Sequence, residues 1–99
     1  MGWKFYDEAV ELLEQRFNYL PQLFRWRGRY YEVDAVERCW TVTRRRRRHH
    51  LQRRYFQVQC GDGTFELYQD LVAGTWRLRR ARVAPARAWA VRRLAPAWR

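Results

Sequence analysis

The sequence predicts a mainly β (α+β) domain, a small five-stranded antiparallel roll or half-open barrel with a possible N-terminal helix and a basic C-terminal tail. Three observations predict it. Several stretches alternate large apolar with polar residues, the period of a strand with one buried face. Glycine-bearing turn signals stand at Gly28 and at Gly61-Asp62-Gly63, between such stretches. No helical crossover separates the strand patterns, so neighbours pair antiparallel as in an SH3-like or OB-like roll rather than a βαβ unit.

Residues 5–20 admit two readings. As a helix capped by Asp7, they align Tyr6, Val10, Leu13, Phe17 and Leu20 on one face, with Glu8, Glu11 and Glu14 toward water. As an extended segment, Phe5, Asp7 and Ala9 alternate into Val-Glu-Leu. The helix, over 7–17, is the preferred expectation.

From Pro21 the period becomes that of strands. Leu23 to Val33 alternates on both sides of Gly28, which predicts a hairpin with Phe24, Trp26, Tyr31 and Val33 inward. The next inward positions, Val36 and Trp40, require one change of phase, and a β-bulge near Asp34-Ala35 supplies it. Tyr55 to Cys60 puts Phe56, Val58 and Cys60 on one face, and Thr64 to Asp70 returns after the Gly61 turn. Thr75 to Arg80 then sets Trp76 and Leu78 inward with Arg77 and Arg79 outward. One domain spans 1–80. Residues 81–99 form an Ala/Arg/Pro/Trp tail in which a short basic helix between Pro85 and Pro96 is marginal alone.

The chain of 99 residues carries a formal charge of +11, unevenly spread. Residues 1–43 hold six basic and seven acidic groups; residues 44–60 hold seven and none; residues 61–99 hold eight and three. Positive potential therefore belongs to the middle and the tail, and it favours a polyanion partner. Twenty of the 21 basic residues are Arg, a bias that GC-rich coding also produces, so clustering weighs more than composition. No apolar run approaches the roughly 20 residues of a membrane span, and the N-terminus lacks a basic segment followed by an apolar one; a cytoplasmic protein with no membrane partner is expected. Cys39 and Cys60 read as separate buried thiols.

The candidate binding residues follow from these patterns. Arg44, Arg45, Arg46, Arg47 and Arg48, with Arg53 and Arg54, form a charged connection between two strands. Guanidinium groups pair bidentately with phosphate oxygens and stack on bases. Arg77 and Arg79 on the last strand, and Arg87, Arg92 and Arg93 in the tail, extend the set. Tyr30, Tyr55 and Tyr68 stand beside these cations and either stack bases or fill a second face of the sheet. Trp89 and Trp98 are candidates for stacking or partner docking, whereas Trp26, Trp40 and Trp76 are assigned to the core. His49 and His50 with the two cysteines match no zinc spacing, and neither a metal nor another cofactor is expected. Glu66 and Asp70 share a strand face about 13 Å apart, too far for direct cooperation, and no nucleophile constellation or nucleotide fingerprint appears, so no enzyme is expected.

The motifs Phe24-x-Trp26-Arg27-Gly28-Arg29-x-Tyr31-x-Val33-x-x-Val36-x-x-x-Trp40, Tyr55-Phe56-x-Val58, Phe65-Glu66-Leu67-Tyr68-x-Asp70 and Trp76-x-Leu78 resemble an uncharacterised bacterial and archaeal domain family. Its members occur alone or at the C-terminus of catalytically degenerate Y-family-like polymerase subunits of mutagenic repair complexes. The resemblance covers about residues 4–80 and transfers no catalytic residue. It implies a nucleic-acid or DNA-repair setting, and an extended chain near Glu8 to Leu12. The five-arginine run and the tail depart from the family pattern.

The expected function is a non-enzymatic nucleic-acid-binding module, for DNA or RNA, that captures the phosphate backbone through its arginine hairpin. The alternative is a protein-interaction adaptor in a repair or replication complex, docking through the Trp/Arg tail.

Overall fold

The computed structural model describes residues 2–61 and 63–83, and these form eight strands. They are β1 Lys4–Ala9, β2 Glu11–Arg16, β3 Leu20–Trp26, β4 Arg29–Glu32, β5 Ala35–Arg46, β6 His49–Cys60, β7 Gly63–Asp70 and β8 Trp76–Val83. A five-stranded sheet has the order β1-β8-β7-β6-β5, and a three-stranded sheet the order β2-β3-β4. Every pairing among them is antiparallel.

Two corners join the sheets. Between β1 and β2 the Val10 N–H donates to Trp76 O at 3.1 Å, which holds the bend against the large sheet. Between β4 and β5 two consecutive residues bond in opposite directions: Val33 N–H donates to Gln22 O of the small sheet at 2.9 Å, and Asp34 N–H to Gln59 O of the large one at 2.7 Å. The same chain thus edges both sheets and folds them over one core. That core unites Phe24, Trp26 and Val33 from the small side with Phe56, Val58, Phe65, Leu67, Trp76, Leu78 and Ala81 from the large side. Edge-to-face packing of Tyr6 on Trp26 at 4.8 Å and stacking of Phe24 on Tyr31 at 5.2 Å fill the junction with rings.

The predicted helix over 7–17 is absent: those residues form β1, the Val10 corner, β2 and the start of a turn. Tyr6, Val10 and Leu12 pack against the core, while Leu13 and Phe17 are exposed. Helical spacing therefore selected Tyr6, Val10 and Leu20 correctly but took Leu13 and Phe17 in place of Leu12. The β2–β3 connection also needs Phe17 and Asn18 in the left-handed region, at φ 56° and 64°, which ends the run that a helix would continue. The Gly28 hairpin stands as predicted, with Arg27 and Gly28 at φ 52° and 76° and Trp26 paired to Arg29, the geometry of a two-residue type I′ turn.

The change of phase before Trp40 is divided between the Val33-Asp34 corner and a bulge at Glu37, between the pairs Val36–Val58 and Arg38–Gln57. Consequently Val36 faces the core, but Trp40 pairs with Tyr55 on the opposite face of the large sheet. The core assignment of Trp40 is corrected accordingly, while Trp26 and Trp76 belong to the core. Cys60 is buried there, and Cys39 is exposed rather than buried; both are free thiols.

Candidate nucleic-acid interface

The face of the large sheet turned away from the core carries a second layer of side chains. Alternation along β6 and β7 sends Arg53, Tyr55, Thr64, Glu66 and Tyr68 to this face, because Phe56, Val58, Phe65 and Leu67 occupy the other. Trp40 joins from β5 and stacks on Tyr55 with ring centroids 5.3 Å apart and planes at 8°. Tyr68 continues the row, 5.2 Å from Tyr55. The result is an aromatic row across three strands.

Arginines lie on these and neighbouring rings. Arg38 sits 4.8 Å from the Trp40 centroid, Arg53 4.5 Å from that of Tyr68, and Arg79 5.3 Å from that of Phe5. Arg80 lies 4.2 Å from the Trp3 ring. A bulge in β8 explains the crowding: Glu66 pairs with Arg80 and Leu67 with Leu78, so Arg79 is the extra residue. Consecutive arginines then reach one carboxylate, Arg79 Nη1 donating to Glu66 Oε2 at 2.7 Å and Arg80 Nε to Glu66 Oε1 at 3.0 Å. Glu66 is buried, and these charged donors compensate its desolvation.

At the β1 end of the face, a second bulge between Phe5 and Glu8 places Asp7 at φ 50°, an uncommon conformation for a residue with a Cβ. Its Oδ1 accepts from the Tyr68 hydroxyl at 2.7 Å and from Arg77 Nε at 3.0 Å, and its carbonyl oxygen accepts from Arg77 Nη2. The Tyr68 and Arg77 hydrogen bonds hold the Asp7 carboxyl below its ordinary range. Burial, with the bond to Asp7, pushes the Tyr68 phenol up. Arg53 differs from these cations. Its Nη1 donates to the Tyr55 hydroxyl at 3.3 Å, but its buried Nε has no partner, and no carboxylate lies within ion-pair distance of it among the described residues.

The arginine run is strand rather than loop for most of its length. β5 continues to Arg46 and β6 begins at His49, leaving Arg47 and Arg48 as the turn. Register through Arg44–Leu51 and Arg46–His49 keeps Arg44 and Arg46 on Trp40's side, whereas Arg45, opposite His50, projects to the other. Arg53 and Arg54 divide the same way, with Arg54 lying 5.6 Å from the Tyr19 ring on the second side. The sequence-predicted cations are thus split between two faces.

The remaining predicted residues fall in different settings. Tyr30 is exposed, on β4 of the small sheet, and is not part of the aromatic row. Tyr55 is buried beneath Trp40, so the more accessible ring of that pair is Trp40. Arg77 is engaged by Asp7 through both Nε and Nη2, whereas Arg79 gives Glu66 its Nη1 alone. Arg87, Arg92, Arg93, Trp89 and Trp98, with Asp62 of the turn, lie outside the described residues. Asp70 accepts from the N–H groups of Val72 and Ala73, a turn-forming role. Burial pushes the Cys60 thiol up to about 12, which keeps it protonated and unreactive. Among the described residues no group of three His, Cys, Asp or Glu side chains is placed to hold a metal ion, and no helix is long and apolar enough to cross a membrane.

Sequence reasoning missed Asp7 and Trp40 as members of this face. Arg53, Tyr55 and Arg38-x-Trp40 carried an i, i+2 signal that places each pair on one side of a strand. Asp7 had none, since its partners Tyr68 and Arg77 are 61 and 70 residues away.

Fold and face together define a small antiparallel β-roll of two sheets with an arginine-aromatic layer outside its core. Within that class the chain belongs to the domain of unknown function DUF6504, whose family matches residues 1–94. No curated protein and no solved structure matches the chain.

Proposed function

We propose that this domain is a non-enzymatic nucleic-acid-binding module whose interface is the outer face of the large sheet, extended by the arginine hairpin. One observation carries the reading: Arg38, Arg53, Arg79 and Arg80 lie over rings on a single sheet face, and the β5–β6 hairpin continues that face with Arg44 and Arg46. Guanidinium groups held over aromatic rings are positioned for phosphate oxygens, and adjacent rings supply surfaces on which bases stack. Phosphate contacts carry no base sequence, so binding is general with respect to sequence. A DNA-repair setting is part of the same proposal. The adaptor alternative rests on Trp89 and Trp98, outside the described residues, and no observation favours it.

Salt dependence tests the proposal. Each phosphate contact contributes a slope of about −0.7 to −0.9 to log affinity against log salt. Replacing Arg44 through Arg48 by Ala in the full chain should flatten that slope by about 2.8–3.6 units, four contacts with Arg45 facing the other side. A slope unchanged by the substitution removes the hairpin from the interface.

A further inference from the structure

A cleft of about 260 Å³ opens at the β1 end of the outer face, lined by Phe5, Tyr6, Asp7, Arg53, Tyr68 and Arg79. A second, of about 280 Å³, includes Trp40, Arg44 and Tyr55 and shares Arg79 with the first. The two recesses meet at that arginine. We infer that the first cleft is a subsite for one unstacked nucleotide of a single strand: its base rests against the Phe5 ring, and its phosphate lies between Arg53 and Arg79. This assignment rests on the nucleic-acid reading above and specifies the ligand's form.

Three features support it. Phe5 is 65 % exposed, an aromatic ring left facing water beside a recess. Arg53 is a half-buried cation without a carboxylate partner among the described residues, an arrangement that an arriving anion completes. Asp7 is held in a left-handed bulge, with Oδ1 taken by Tyr68 and Arg77. Its Oδ2 takes part in no hydrogen bond among the described residues, which leaves an acceptor for a base N–H at the rim.

Size and shape select the single strand. Sites for whole drug-sized ligands run roughly 300–1,000 Å³, so a recess at the low edge of that range suits one base. Bases inside a duplex are stacked and paired, and cannot present a face to Phe5 without being extruded. The shared Arg79 then leads the backbone toward Trp40 and the hairpin.

The test compares the full chain with Phe5→Ala and Phe5→Tyr. Each binds labelled oligothymidylate and oligouridylate of about 12 nucleotides, within the usual single-strand site range, and a DNA duplex of equal length. Phe5→Ala should weaken binding to either single strand about 5- to 150-fold, the loss of one base stack. Duplex affinity and the salt slope should stay unchanged, because no cation is lost, and Phe5→Tyr should bind as the parent does. Circular dichroism checks that the exposed substitution leaves the sheets intact. If Phe5→Ala keeps single-strand affinity, or weakens duplex binding equally, while substitution of Arg44–Arg48 still weakens both, the subsite is overturned and general nucleic-acid binding stands. Failure of the parent chain to bind any of the three overturns both.

Discussion

The indole Nε1 of Trp26 donates to Glu8 Oε1 at 2.9 Å, tying β3 of the small sheet to β1 of the large one. Arg27 clamps the same carboxylate, with Nε 2.9 Å from Oε1 and Nη2 2.6 Å from Oε2. The Gly28 turn thus delivers a bidentate guanidinium and an indole to one acid.

Arg27, then Trp26, lowers the Glu8 carboxyl from 4.5 to about 2. A carboxyl depressed by folding stabilises the fold above its unfolded value, and that contribution is lost as pH falls from 4.5 through about 2. Glu8→Gln should therefore lower the urea midpoint at pH 7, and the gap between parent and variant should close as pH approaches 2. A gap of constant size from pH 7 to pH 2 would show that the charge on Glu8 does not contribute.

Glu66 lies under the arginine layer, buried, with both oxygens occupied by Arg79 and Arg80. Glu66→Gln keeps the shape but removes the charge that those guanidinium groups share. Gln retains one acceptor oxygen and loses the other, and a hydrogen bond to a charged group contributes about 1.5–3 kcal/mol, so a destabilisation of about 1.5–3 kcal/mol is expected in urea titration. The two arginines are partly solvated, which places the effect below that of a fully buried pair. A change under about 0.5 kcal/mol, typical of surface substitutions, would mean that Glu66 does not organise the layer.

Much of the fold was legible because its signals were local. Phe56, Val58 and Cys60 alternate over six residues, and the Gly28 and Gly61 turns carry their own positive-φ residues. The N-terminus was not legible in this way. Tyr6, Val10, Leu13, Phe17 and Leu20 fit helical spacing, while the observed choice of Tyr6, Val10, Leu12 and Leu20 depends on a bulge at Asp7 and a corner held by Trp76 O. Both are fixed by pairing to β8, near the other end of the described chain. The interface was half legible for the same reason: the arginines stand out in sequence, but their division between faces follows from bulges at Glu37 and Arg79 that no local pattern marks.

That division yields a test in which total charge is held fixed. Arg44 and Arg46 share Trp40's side of the hairpin, and Arg45 and Arg54 share the reverse. Replacing either pair with Ser removes two positive charges, so the long-range attraction falls equally. Of these four, Arg44 lines the recess that contains Trp40, Tyr55 and Arg79, and Arg46 continues the same side of β5 toward the turn. Arg44→Ser with Arg46→Ser should therefore lower the salt slope of oligonucleotide binding by about 1.4–1.8, two direct phosphate contacts, whereas Arg45→Ser with Arg54→Ser should leave it nearly as in the parent. Equal slopes for the two double variants would mean that the hairpin acts as an undirected cloud of charge, and the outer face of the large sheet would lose its claim to be the interface.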